Sequence, residues 1–250
     1  MEKIIIKNLH NENLVGILHS TKKTKKLVIV CHGRLCTKDQ HFIPYLCSEI
    51  CRNGFNAFRF DFSGNGESEG LFEKSTITKE IFDIKSVANF FIEKGYEFYT
   101  LIGHSKGAVD VLVFQSKYNL AKKIVDISGL VDQKYETSKK YTKTQIAKLK
   151  VNGFFNIRSN NQNFKISKEY FYDRLKYGDI RKFVKKIKVP SLVLHGVIDN
   201  DTKVENSNIM IKNLNNLSKL TLISGAGHFF QGKRCRQELT NSIIKWLKDE

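Results

Sequence analysis

The residues best placed for covalent chemistry are Gly103-His104-Ser105-Lys106-Gly107. They follow an apolar run, Tyr99-Thr100-Leu101-Ile102, and precede Ala108-Val109-Asp110-Val111-Leu112-Val113, whose composition suits a helix. A serine between glycines is common in ordinary turns. Between a strand and a helix the pattern is specific: a sharp turn lifts the hydroxyl clear, and the glycines let helix and strand approach closely. The helix that follows would aim its first N–H groups at a reacting carbonyl. Ser105 is the expected nucleophile.

A hydroxyl attacks at neutral pH only if a base takes its proton and an acid orients that base. Seven histidines compete. His104 lies inside the turn and is expected to point away, while His10 and His19 precede the first central strands. His228 follows Leu220-Thr221-Leu222-Ile223 in the loop Ser224-Gly225-Ala226-Gly227. From there it reaches over the sheet edge towards Ser105, and it is preferred to the competing reading of a helix cap near Phe229. For the acid, Asp199 lies just beyond Leu192-Val193-Leu194-His195, on the loop Gly196-Val197-Ile198. Its role would be to hold one tautomer of His228 and stabilise the imidazolium. Asp201, two residues on, is its rival.

These groups need a scaffold. Short apolar runs alternate with longer amphipathic stretches, which predicts α/β organisation around a mainly parallel sheet. Strands are expected at 14–19, 26–31, 56–60, 98–102, 123–127, 191–195 and 219–223. Helices are expected at 42–52, 76–93 and 235–248. In the second, Ile77, Ile81, Ile84, Val87 and Phe91 recur every three or four residues. Residues 1–250 are read as a single domain, interrupted by an insertion at approximately 131–187. That insertion is too long for one crossover and too aromatic for a linker. It carries Phe154, Phe155, Phe164, Tyr170, Phe171, Tyr172 and Tyr177, with short helices expected, and polar Asn160, Asn161, Gln162 and Asn163. Such a segment would cover the strand ends, where open α/β sheets bind ligands.

A 250-residue chain can bury about three quarters of its unfolded surface, so it needs neither disulfides nor metal to fold. Lys and Arg number 42 against 25 Asp and Glu, a formal charge of +17. The charge is spread along the chain, Lys greatly outnumbers Arg, and no basic cluster is interleaved with aromatics, so nucleic-acid binding is not expected. Five cysteines without a CxxC pair read as reduced thiols, and Cys47 and Cys51 are expected to share a helix face. No run approaches the roughly 20 apolar residues of a membrane span, and Met1-Glu2-Lys3 opens no signal peptide. A cytoplasmic protein without stable membrane insertion is the expectation.

Taken together, the motifs resemble the α/β-hydrolase superfamily, specifically its small serine esterases and monoacylglycerol-lipase-like or serine-aminopeptidase-like members. The order Ser105, Asp199, His228 along the chain fits that superfamily. His32-Gly33 resembles its oxyanion-loop motif, and Asp61-Phe62-Ser63-Gly64-Asn65-Gly66-Glu67-Ser68 its D-x-x-G-x-G-x-S loop, read here as structural. Val189-Pro190 leading to Leu194-His195-Gly196-Val197-Ile198-Asp199 resembles its acid motif, and Gly225-Ala226-Gly227-His228 its histidine loop. The resemblance implies an α/β-hydrolase fold with a small cap, and an oxyanion hole made by the backbone N–H groups of Arg34 and Lys106. Two departures stand out: Lys203 where relatives often carry Pro, and Arg34 where many carry a small or apolar residue. The implied activity is hydrolysis of small to medium carboxylic esters through an acyl-enzyme on Ser105, with no cofactor and no metal. An acyl thioesterase, acyltransferase, monoacylglycerol lipase or peptidase would use the same triad, and a non-catalytic ligand-binding protein is the rival of another class. The expected partner is a small-molecule ester; the sequence leaves oligomeric state open.

Overall fold

The computed structural model describes residues 1–159 and 161–249; of Tyr135, Glu136 and Ser138 it describes the backbone alone. Asn160, from the polar 160–163 stretch, lies outside the described residues. Eight strands form one sheet: β1 (Glu2–Lys7), β2 (Asn13–His19), β3 (Lys26–Cys31), β4 (Asn56–Phe60), β5 (Glu97–His104), β6 (Lys123–Ile127), β9 (Ser191–Gly196) and β10 (Lys219–Ile223). Their spatial order is β1-β2-β4-β3-β5-β6-β9-β10. The β1–β2 and β2–β4 pairs are antiparallel, and every later neighbour is parallel. This is the α/β organisation that the alternating pattern predicts, and the α/β-hydrolase fold that the resemblance implies.

The central strands are apolar along their length because both sheet faces are covered. In β3, Leu27, Ile29 and Cys31 enter one core cluster, with Phe58, Phe60 and helix α2 (Ile77–Glu93). Val28 and Val30 enter the other, beneath α1 (Ile43–Arg52) and α9 (Lys233–Lys248). The period of two sends successive side chains to opposite faces. Ile77, Ile81, Ile84, Val87 and Phe91 of α2 are all buried in the first cluster, each contributing roughly 1.5–3 kcal/mol. Thr76 starts that helix by accepting the Lys79 N–H on its hydroxyl, at 3.1 Å. Cys47 and Cys51 both lie on α1, and among the described residues all five cysteines are free thiols.

Two features differ from expectation. Strand β1, around Ile4-Ile5-Ile6, was not anticipated; it pairs on the sheet edge with β2. The segment between β6 and β9 holds α4 (Gln133–Lys140), α5 (Lys143–Asn152), α6 (Lys168–Tyr177) and α7 (Arg181–Val184), as the expected short helices require. Between them, however, β7 (Phe154–Ser159) and β8 (Gln162–Ser167) form an antiparallel hairpin. Phe155 and Ile166 face each other across it and pack with Tyr141, Leu149, Tyr170 and Phe171. Alternate burial of Phe155 is a period of two that its dense aromatic neighbours obscure.

Because β3, β5, β9 and β10 run parallel, their carboxyl ends open on one side of the sheet. The turns that follow them carry residues 32–36, Ser105, Asp199 and His228.

Candidate active site

The turn after β5 is tight. Ser105 has φ 55° and ψ −116°, a left-handed conformation unusual for a residue with a side chain. Helix α3 (Lys106–Tyr118) starts immediately after it. A Cβ on Gly103 would lie 2.3 Å from the Gly107 carbonyl oxygen, and one on Gly107 2.4 Å from that of His32. Both positions therefore exclude any side chain, and the strained turn pushes the serine hydroxyl outward.

His228 Nδ1 lies 2.8 Å from Asp199 Oδ2, and His228 Nε2 lies 2.9 Å from Ser105 Oγ. A carboxylate only accepts, so Nδ1 carries the proton and Nε2 is free to accept the serine proton. Asp199 Oδ1 also accepts the N–H groups of Asp201 and Thr202 at 2.9 and 2.8 Å. Burial pushes the Asp199 carboxyl up, but hydrogen bonds from His195 and His228 outweigh it and hold the group well below its ordinary value. Asp201 donates through its backbone and lines the cavity containing Ser105.

A Cβ on Gly33 would sit 3.2 Å from Ser105 Cβ, so the loop after β3 packs directly against the serine. Ser105 N–H donates to the Ile127 carbonyl at 2.8 Å. Among the described residues, the backbone N–H groups of Arg34 and Lys106 donate to nothing within the protein. The Lys106 side chain turns inward to an ion pair with Glu80, with Asp110 Oδ2 at 3.4 Å. The Arg34 side chain donates to Tyr141 Oη at 2.9 Å, tying this loop to the segment between β6 and β9. His32 accepts the Phe62 N–H on Nε2, at 3.1 Å, and its other nitrogen donates to the Gly33 carbonyl, at 2.8 Å. Asp61 accepts from the Lys38 backbone at 2.7 Å and from Lys38 Nζ at 2.8 Å, so the Asp61–Ser68 loop braces the loop after β3.

The cavity around Ser105 measures about 270 Å³ and is walled by Arg34, Cys36, His41, Lys140, Ser159, Asp201, His228 and Phe229, among others. A second cavity of about 480 Å³ shares Lys140 and Asp201 as walls. Cys36 Sγ stands 3.7 Å from His41 Nε2, which suggests a second nucleophile. Burial pushes that thiol up to about 11, so it is not a thiolate at neutral pH. Among the described residues no group of three His, Cys, Asp or Glu side chains could hold a metal ion.

Three neighbouring histidines take supporting roles that the sequence reading did not assign. His104 donates from Nε2 to the His228 carbonyl at 2.9 Å, and burial drives its pKa down to about 3, so it is a neutral brace for the histidine loop. His41 stacks on Phe229, with ring centroids 4.1 Å apart. His195 is completely buried against Asp199. His104 and His195 lie inside the motifs themselves, but their contacts, and the place of His41 against Phe229, are set by the tertiary fold.

Residues 22–168 match the model of the family described as serine aminopeptidase, S33. The match includes the loop after β3 and the turn at Ser105, and stops before Asp199 and His228. The search of curated proteins found no match. Among solved structures, the chain superimposes on Est1E from Butyrivibrio proteoclasticus with ferulic acid bound, at TM-score 0.85 and 20% identity, covering 98% of this chain and 97% of that one. It superimposes on the α/β hydrolase GrgF from Penicillium sp. sh18 at TM-score 0.83 and 16% identity, covering 99% and 97%. For mouse α/β hydrolase domain-containing protein 10 the values are 0.79 and 17%, covering 99% and 98%. Identities this low speak to the fold alone.

Proposed function

Because the chain belongs to the serine aminopeptidase S33 family of α/β hydrolases, we propose that it is a serine esterase in which Ser105, His228 and Asp199 form the catalytic triad. The observation that carries this reading is the continuous pair of contacts from Ser105 Oγ to His228 Nε2, at 2.9 Å, and from His228 Nδ1 to Asp199 Oδ2, at 2.8 Å. Ser105 Oγ attacks the ester carbonyl carbon as its proton passes to His228 Nε2. The negative oxygen that develops is held by the Arg34 and Lys106 backbone N–H groups, each worth about 3 kcal/mol in sites of this kind. His228 returns the proton to the leaving oxygen, the C–O bond breaks, and the alcohol departs. Water then attacks the acyl-serine, giving its proton to His228, and the acid leaves as Ser105 regains its hydrogen.

The cavity of about 270 Å³ at Ser105 suits a small to medium acyl group. The adjoining cavity of about 480 Å³, reached past Asp201 and Lys140, offers room for the alcohol portion. Lys140 and Ser159 belong to the insertion, which supports reading residues 131–187 as a cap within a single 1–250 domain.

Labelling with a fluorophosphonate, followed by mass mapping of the modified residue, tests the reading. Label on Ser105 with turnover of p-nitrophenyl esters supports it. Label elsewhere, or turnover only of aminoacyl p-nitroanilides, overturns it. Added alcohol or thiol as acceptor separates hydrolysis from acyl transfer.

A further inference from the structure

The side chain of His195, on β9, is completely buried beside Asp199. Its Nε2 lies 2.7 Å from the Thr202 carbonyl and 3.3 Å from Asp199 Oδ2, the same oxygen that His228 uses. A carbonyl only accepts, so Nε2 carries a proton; in the neutral ring Nδ1 then accepts the hydroxyl of Ser207 at 2.5 Å. Burial pushes the ring's pKa down, but the hydrogen bonds to Asp199 and Thr202 outweigh it and raise it, and both forms of the ring keep the Nε2–H. One N–H is thus shared between the backbone of the acid turn and the acid itself.

We propose that His195 is a positioning residue for the triad: its Nε2–H fixes the turn that presents Asp199 and takes up part of the negative charge on Oδ2. This rests on the esterase reading and deepens it. A carboxylate that feeds two imidazoles attracts the proton of each less strongly. His195 therefore weakens the pull of Asp199 on the His228 Nδ1 proton, while Asp199 stays in line with Nδ1. The charged and titratable groups facing His195 are Asp199 on the loop after its own strand, Asp126 on β6, and His228 across Asp199. Helix α8 (Glu205–Asn213) presents the neutral Ser207.

The test measures the pH dependence of kcat/KM on p-nitrophenyl butyrate, with rates expressed per fluorophosphonate-labelled site so that unfolded protein does not count. In His195→Leu the acid limb should move up by about half a pH unit or more, because Asp199 regains proton affinity. Its kcat per labelled site should fall about tenfold while KM stays within about twofold. His195→Gln, whose amide N–H can reach the same two acceptors, should restore the limb. Ser207→Ala frees the tautomer without emptying the core and should move the limb in the same direction by less. If His195→Leu yields no folded protein, an unmoved limb in Ser207→Ala overturns the proposal. So do an unmoved limb in His195→Leu and a His195→Gln variant that behaves like Leu. Failure of wild type to label at Ser105 would instead remove the esterase reading, and this proposal with it.

Discussion

Ser105 is held in a strained turn with its hydroxyl 2.9 Å from His228 Nε2, and this contact carries the proposed chemistry. Ser105→Ala should abolish labelling and lower ester turnover by about a thousandfold or more, with an unchanged thermal transition. An alanine variant that still labels fully would move the nucleophile elsewhere. Asp199 meets His228 Nδ1 directly, whereas Asp201 contributes its backbone N–H to Asp199 and lines the cavity. Asp199→Asn should therefore cost about a thousandfold or more in kcat, since an amide favours the wrong imidazole tautomer. Asp201→Asn should cost less than about fivefold, because the backbone donor survives. Equal losses in steady-state kinetics of the two variants would refute this division of labour.

At the scale of elements, the loop after β3 and the insertion are joined by the Arg34–Tyr141 hydrogen bond, and α6 is docked on α2 by Asp173, which accepts the Thr78 N–H at 3.0 Å. Tyr141→Phe removes only the first link. The Arg34 backbone N–H is retained, so kcat should stay within about twofold while KM rises about threefold or more as the pocket wall loosens. A fall in kcat alone would show that the side chain, not the backbone, holds the oxyanion. The end of β6 offers a stability test. Asp126 is buried, Oδ1 accepts the Gly129 N–H at 2.8 Å, and Oδ2 has no partner among the described residues. Burial raises its pKa from 3.8 to about 6. An acid whose pKa is higher folded than unfolded stabilises the fold below about pH 4, and that contribution is lost as pH rises through about 6. Asp126→Asn should thus be about 1–2 kcal/mol more stable than wild type at pH 8, and no more stable at pH 4.5. Urea unfolding at both pH values measures it; equal differences at the two would mean the carboxyl does not ionise in the fold.

At the scale of the molecule, the sheet's parallel half gathers four loops on one side, and the insertion narrows what they enclose. With about 270 Å³ at the serine, specificity constants for p-nitrophenyl esters should peak at short to medium chains and fall at least about tenfold by palmitate. No helix among the described residues is long and apolar enough to cross a membrane, and micelles should not sharpen activity on long chains. A maximum at palmitate that rises with added bilayers would favour a lipase working at an interface. The formal charge of +17 adds that anionic esters should react faster at low salt and lose that advantage near about 0.5 M.

The sequence by itself determined the scaffold and its local signals. Strands covered on both faces are largely apolar, so β3 and the centres of β6 and β9 stand out as runs, and α2 by its three-and-four spacing. Gly103 and Gly107 mark the turn at Ser105 because any side chain there would strike backbone oxygen. Strand β1 was hidden, since a short edge strand is stabilised by pairing with β2 rather than by its own pattern. The hairpin of β7 and β8 was hidden by aromatic density that suits helix and strand alike. The sequence favoured Asp199 over Asp201, and the tertiary structure shows the contact of Asp199 with His228, because two carboxylates two residues apart differ in where the turn after β9 points them. The tertiary structure alone paired His104 with the histidine loop and Tyr141 with Arg34, from the end of β5 and the turn between α4 and α5. Hydrogen bonds between residues more than a hundred positions apart depend on how whole elements pack, and no local spacing encodes that.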